Sequence, residues 1–128
     1  MLDHIGLRVA DVAAAQAFYD AALAPLGIAV VFSVSAAETG TQAYLGYGSG
    51  GRPYFWIGAG ETSTRGLHVA FTADSRATVD AFYAAAVAAG GQDNGAPGVR
   101  AYYHPNYYGA FVFDADGHNV EAVCHLPA

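Results

Sequence analysis

HIGLRVADVAAAQAFYD, residues 4–20, and HVAFTADSRATVDAFYA, residues 68–84, are two copies of one unit. His4 aligns with His68, Phe18 with Phe82 and Tyr19 with Tyr83, at a constant offset of 64 and without a gap. In each copy a histidine opens an apolar segment of period two, which marks a strand. In the first copy Ile5, Leu7 and Val9 point one way, and His4, Gly6 and Arg8 the other. Asp11 is placed to cap a helix over residues 12–23, whose stripe of Ala14, Phe18 and Ala22 suits the Ile5/Leu7/Val9 face. Pro25 and Gly27 close that helix. In the second copy Leu67, Val69 and Phe71 form the apolar face, opposite His68 and Ala70. Asp74 or Ser75 caps a helix running to about Ala89, and Gly90-Gly91 ends it.

Outside these helices the chain offers short strands separated by turns rich in Gly and Ser. They fall near 28–34, 41–47 and 53–58 in the first half, and near 99–103, 109–114 and 118–125 in the second. Residues 91–98 read as a loop, and Asp114-Ala-Asp-Gly117 as a hairpin turn. Each half is then β-α-β-β-β. The fold expected is α+β: two such modules, about residues 1–60 and 66–126, forming one domain over residues 1–128. A four-stranded sheet cannot bury both faces alone. The expectation is therefore a single curved mixed sheet with helices outside and a concave surface within.

Composition narrows the function. Of 128 residues, 54% are hydrophobic and 12% charged, which excludes disorder. Net charge is −6 and the five basic residues are scattered arginines, so no basic patch exists for nucleic acid. No apolar run reaches the roughly 18–20 residues of a membrane span, and Met-Leu-Asp-His lacks the features of a secretion signal. The single cysteine, Cys124, cannot form an internal disulfide, which fits a reducing compartment. A cytoplasmic protein with a small-molecule substrate is the expectation.

The concave surface carries the chemistry. Alternation places His4, Arg8 and His68 there. In the last strand Val120, Ala122 and Cys124 face the helices, which turns Glu121 inward. A buried carboxylate needs a partner, and two histidines on repeated strands supply a reason: one shared divalent cation. Two imidazoles and a carboxylate leave coordination positions open, as catalysis requires. The competing reading has ordinary strand histidines and a Glu121–Arg8 pair. The segment Arg100-Ala-Tyr-Tyr-His-Pro-Asn-Tyr-Tyr108 adds four tyrosines and His104. There Tyr103 is a candidate for stacking on a substrate, and His104, Tyr107 and Tyr108 for acid/base work; the alternative is a subunit interface. Trp56 and Arg8 are candidate substrate contacts. His118 is expected in an exposed turn, and His125 at the end of the sheet.

The repeat, the His-x-x-x-Arg opening and the ending Asp-Ala-Asp-Gly-His-Asn-Val-Glu121 resemble the vicinal oxygen chelate superfamily. Its members include glyoxalase I, bleomycin- and fosfomycin-resistance proteins and extradiol dioxygenases. The resemblance implies paired βαβββ modules and a homodimer. It also implies one divalent metal ion (Fe, Mn, Zn, Ni or Co), held by His4, His68 and Glu121 within one chain or between two. A metal-dependent lyase, isomerase or dioxygenase is implied, with a metal-free drug- or metabolite-sequestering protein as the alternative. Glyoxalase I adds a glutamate from the first module, and sliding that strand onto Tyr54-Phe-Trp-Ile57 finds no carboxylate. Extradiol dioxygenases place a histidine where His104 stands, but a tyrosine where this chain has Phe111.

Overall fold

The computed structural model describes residues 1–61 and 66–128. The elements follow the duplicated plan. Module one holds β1 (Ile5–Val9), α1 (Val12–Leu23), β2 (Ala29–Val34), the single-turn α2 (Ala36–Thr39), β3 (Tyr44–Ser49) and β4 (Arg52–Ala59). Module two holds β5 (His68–Thr72), α3 (Arg76–Ala88), β6 (Gln92–Val99), β7 (Tyr108–Phe113) and β8 (Asn119–Cys124). In each module the opening strand runs parallel to the last one, and the remaining pairs are antiparallel. The sheet orders are β1-β4-β3-β2 and β5-β8-β7-β6.

The helices begin where the sequence supplies oxygen acceptors for orphan amides. The Asp11 carboxylate accepts the Ala14 N–H at 3.0 Å, and the Ser75 hydroxyl accepts that of Thr78 at 3.1 Å. α1 runs into a 3-10 turn at Ala24–Leu26, stopped by Gly27 at φ 73°. The helix faces are apolar. Phe18, Tyr19, Ala22 and Leu23 of α1 and Val79, Phe82 and Ala86 of α3 are buried, whereas the predicted stripe residue Ala14 is exposed because Ala15 takes the inward position.

Four expectations are corrected. Residues 92–99 are a strand, not a loop, and residues 100–103 are a turn, not a strand. β6 is an edge strand interrupted by bulges near Gly95, so it needs no alternating pattern; the Arg100 guanidinium ties it down through the carbonyls of Gly98 (2.9 Å) and Ala96 (2.8 Å). His118 is buried, at 2% exposure. Leu67, expected on the apolar face, is exposed and lies just before β5.

The sheets also differ from the single curved one expected. No ladder joins them among the described residues, and β1 and β5 each have only one neighbour. The modules meet instead through their apolar faces in one continuous core, with the rings of Phe55 and Phe71 edge to face at 5.2 Å. Polar ties cross from module one to the β7–β8 turn. The Tyr19 hydroxyl donates to Asp114 at 2.7 Å, and the Ala10 N–H donates to Asp116 at 3.0 Å. His118 accepts the Leu67 N–H at Nδ1 (2.9 Å), so its ring proton stands at Nε2 and is donated to the Arg8 carbonyl (3.0 Å). Among the described residues, no helix is long and apolar enough to cross a membrane.

Candidate metal and substrate site

The sheet faces turned away from the core carry two groups of functional side chains. On module two, Glu121 sits in the middle of β8 with 1% exposure. Its Oε2 is 2.8 Å from His68 Nε2, and its Oε1 accepts the Tyr107 hydroxyl proton. Both carboxylate oxygens are thereby engaged, which is what burial of this group demands. Tyr107 feels the consequence: burial first, then its bond to Glu121 and that carboxylate's charge, push the phenol well above its usual range. Gly109 leaves the space these groups use, since a Cβ there would lie 3.2 Å from the Tyr107 ring and 3.3 Å from Glu121 Oε1.

The spacing of the His68–Glu121 pair suits a cation. Two donors bonded to one ion at 2.0–2.2 Å and about 90° apart are separated by about 3 Å, close to the 2.8 Å observed. A third donor is not beside them: among the described residues, no three His, Cys, Asp or Glu side chains form a metal-sized group. His4, placed just before β1 on the other module, is hydrogen-bonded through Nδ1 to Asp3 at 2.7 Å. A carboxylate only accepts, so Nδ1 carries a proton, which in the neutral ring leaves the Nε2 lone pair for a cation. That is the tautomer and orientation of a metal-ligating histidine. The Asp3 carboxyl is held below its ordinary range, chiefly by this bond.

The other predicted residues divide sharply. Tyr107 is in the Glu121 cluster, and the Tyr103 ring packs against it at a tilt, with centroids 4.7 Å apart. Tyr108, adjacent in sequence, points to the opposite side; it donates to Asp80 of α3 at 2.7 Å beneath the Arg76 guanidinium. Tyr108, expected as an acid/base group, thus lies apart from the Glu121 cluster. Strand alternation gives the reason: Tyr107 and Tyr108 cannot face the same way. His104 accepts the Asn106 N–H at Nδ1, so its Nε2 proton is donated to His125 Nδ1 at 2.8 Å. His125 lies just past β8, and its ring also abuts Tyr107 edge to face at 5.3 Å. Arg8 does not reach Glu121 but bonds the Tyr44 hydroxyl at 3.2 Å. Cys124 is buried on the helix side.

The strand registers reveal the module-one counterpart of Glu121. Ala70, two residues beyond His68, pairs with Glu121; Gly6, two beyond His4, pairs with Trp56. Trp56 therefore holds the place of a second carboxylate, and a set of two histidines and two glutamates is not encoded. Trp56 lines a groove of 360 Å³ with His4, Arg8 and Tyr44. Tyr44 is not among the predicted site residues, because the strand expected over 41–47 has no pattern that assigns its faces.

A profile of the Glyoxalase/Bleomycin resistance protein/Dioxygenase superfamily matches residues 1–122. The chain belongs to this superfamily. Among solved structures, a glyoxalase/bleomycin resistance protein from Albidiferax ferrireducens T118 is 30% identical, with a TM-score of 0.78 over 97% of this chain and 98% of that one. A superfamily enzyme from Burkholderia phytofirmans PsJN is 22% identical, with a TM-score of 0.71 over 98% of both chains. The fosfomycin resistance protein FosX from Listeria monocytogenes has the same fold at 20% identity, with a TM-score of 0.72 over 98% of this chain and 93% of that one. A point mutant of FosX was crystallised with Mn(II) and 1S,2S-dihydroxypropylphosphonic acid. No curated protein matches this sequence.

Proposed function

We propose that this superfamily member is a divalent-metal-dependent enzyme acting on a small oxygenated substrate, and that it works as a homodimer. The observation that carries the reading is the buried carboxylate of Glu121 with His68 at the spacing of two ligands on one ion. The third donor is His4 of a second copy, whose Nε2 has no hydrogen-bond partner among the described residues and which precedes β1, a strand with an open edge. FosX, a relative in fold, binds Mn(II), which supports a metal of this charge.

When bound, a divalent cation would polarise a substrate oxygen at the open coordination positions. The chain's own groups do the rest. Asp3 fixes the tautomer of His4, and Tyr107 holds the second oxygen of Glu121 so that the first stays aimed at His68. Tyr103, packed against Tyr107, supplies an aromatic wall, and the His104–His125 pair stands beside Tyr107 as the candidate proton-handling group.

Metal content decides the matter. After reconstitution the protein is expected to hold near-stoichiometric Mn, Fe, Co, Ni or Zn by elemental analysis, and His68→Ala to hold almost none. Equal metal in the variant, or almost none in the parent, overturns the reading; the latter outcome favours a metal-free sequestering protein.

A further inference from the structure

The exposed face of module one is built as a ligand groove in its own right. Two cross-strand rows make its floor. In one, Trp56 lies between Gly6 and Gly46; in the other, Gly58 lies between Arg8 and Tyr44. The glycines are there for room. A Cβ on Gly46 would stand 2.9 Å from the Trp56 indole, and one on Gly58 would stand 2.6 Å from the Tyr44 ring and 2.9 Å from Arg8 Nη1. The indole and the phenol thus occupy the space over these two glycines, and Phe32 meets the indole edge to face at 6.0 Å.

The hydrogen bonds at Tyr44 have a direction. Its oxygen receives Arg8 Nη1–H at 3.2 Å and Gln42 Nε2–H at 2.7 Å. Neither donor can accept, so both lone pairs of the phenol are used and its own proton has no protein acceptor among the described residues. That proton belongs to a hydroxyl lining the groove. The two incoming bonds, the one from Arg8 foremost, also lower the phenol below its ordinary range, which makes it a stronger donor.

We propose that this groove binds a small, flat molecule bearing an oxyanion: the anionic oxygen takes the Tyr44 hydroxyl proton and the Arg8 guanidinium, and the planar body lies against Trp56. Arg8 and Gln42 position Tyr44 as well as flanking it. His4 lines the same groove, so a ligand seated there lies beside a proposed metal donor. That this ligand is the substrate rests on the function proposed above; the binding itself does not.

Trp56 is the only tryptophan in the chain, so its fluorescence reports the groove directly. The test titrates metal-free protein with benzoate and with benzamide, its neutral analogue. Benzoate is expected to change the emission saturably, with benzamide at least roughly tenfold weaker. Tyr44→Phe is expected to weaken benzoate roughly tenfold and to leave benzamide unchanged. Gly58→Ala, which displaces the ring without removing the hydroxyl, is expected to weaken benzoate as well. No saturable response to benzoate, equal affinity for the two probes, or a Tyr44→Phe variant that binds benzoate like the parent overturns the proposal. Because no metal is present, these outcomes are independent of the metal content that tests the enzyme reading.

Discussion

At the residue scale, Glu121 concentrates the tension between stability and function. A carboxylate at 1% exposure is tolerated because His68 and Tyr107 occupy both of its oxygens. Gln has nearly the same shape, accepts the Tyr107 proton with its oxygen and offers an N–H to His68 once that ring changes tautomer. Glu121→Gln is therefore expected to change the stability of the metal-free protein by less than about 1 kcal/mol in urea unfolding, while removing metal binding. A loss of several kcal/mol would show that the charge itself holds the fold. The sequence points to this residue through alternation alone, since Val120, Ala122 and Cys124 claim the helix side. It does not reveal Tyr107 as the second partner, because a contact between β8 and the residue preceding β7 depends on register rather than on pattern.

At the element scale, the βαβββ order is readable wherever side chains have to alternate or a helix needs a cap. β1, α1 and α3 fall where Asp11, Ser75 and the apolar periodicity put them. β6 escapes such a reading because an edge strand with bulges has no buried face to impose a period. α2 is absent from the expected elements although its signal is present: Ser35 and Glu38 form a capping box, with Ser35 N–H donating to Glu38 at 2.7 Å. His118 misleads because a histidine in a Gly-containing turn looks solvated. Its actual work is to join the β7–β8 turn to β1 and to the residue before β5, through Arg8 and Leu67. His118→Ala removes both bonds and leaves a void, so it is expected to cost about 2–3 kcal/mol in thermal or chemical unfolding. An unchanged midpoint would mean that water replaces the ring without loss.

At the scale of the whole molecule, the sequence leads to two modules and one concave site, but the chain folds with its sheets joined through the core and not along their edges. Pattern cannot distinguish these arrangements, since both bury the same apolar faces. The difference matters for the metal: His68 and Glu121 meet within one chain, and among the described residues His4 does not complete a metal-sized group with them. A dimer-shared site makes a sharp prediction. His4→Ala and His68→Ala each lack metal as pure proteins, yet a mixed dimer contains one site with both histidines intact and one with neither. Unfolding and refolding the two variants together is expected to restore metal binding to the mixed species, measured after separation by affinity tags. No recovery in a verified mixed dimer would place the site elsewhere.

The substitution of an indole for a carboxylate between equivalent strands has a further consequence. Among the described residues, the His68–Glu121 pair of β5 and β8 shares no hydrogen bond with the organic-ligand floor of β1, β3 and β4. A chain arranged in this way can be retuned toward a new molecule at Trp56, Gly46 or Gly58 while that pair stays in place. His4, which borders the floor, is the one proposed donor such changes would touch.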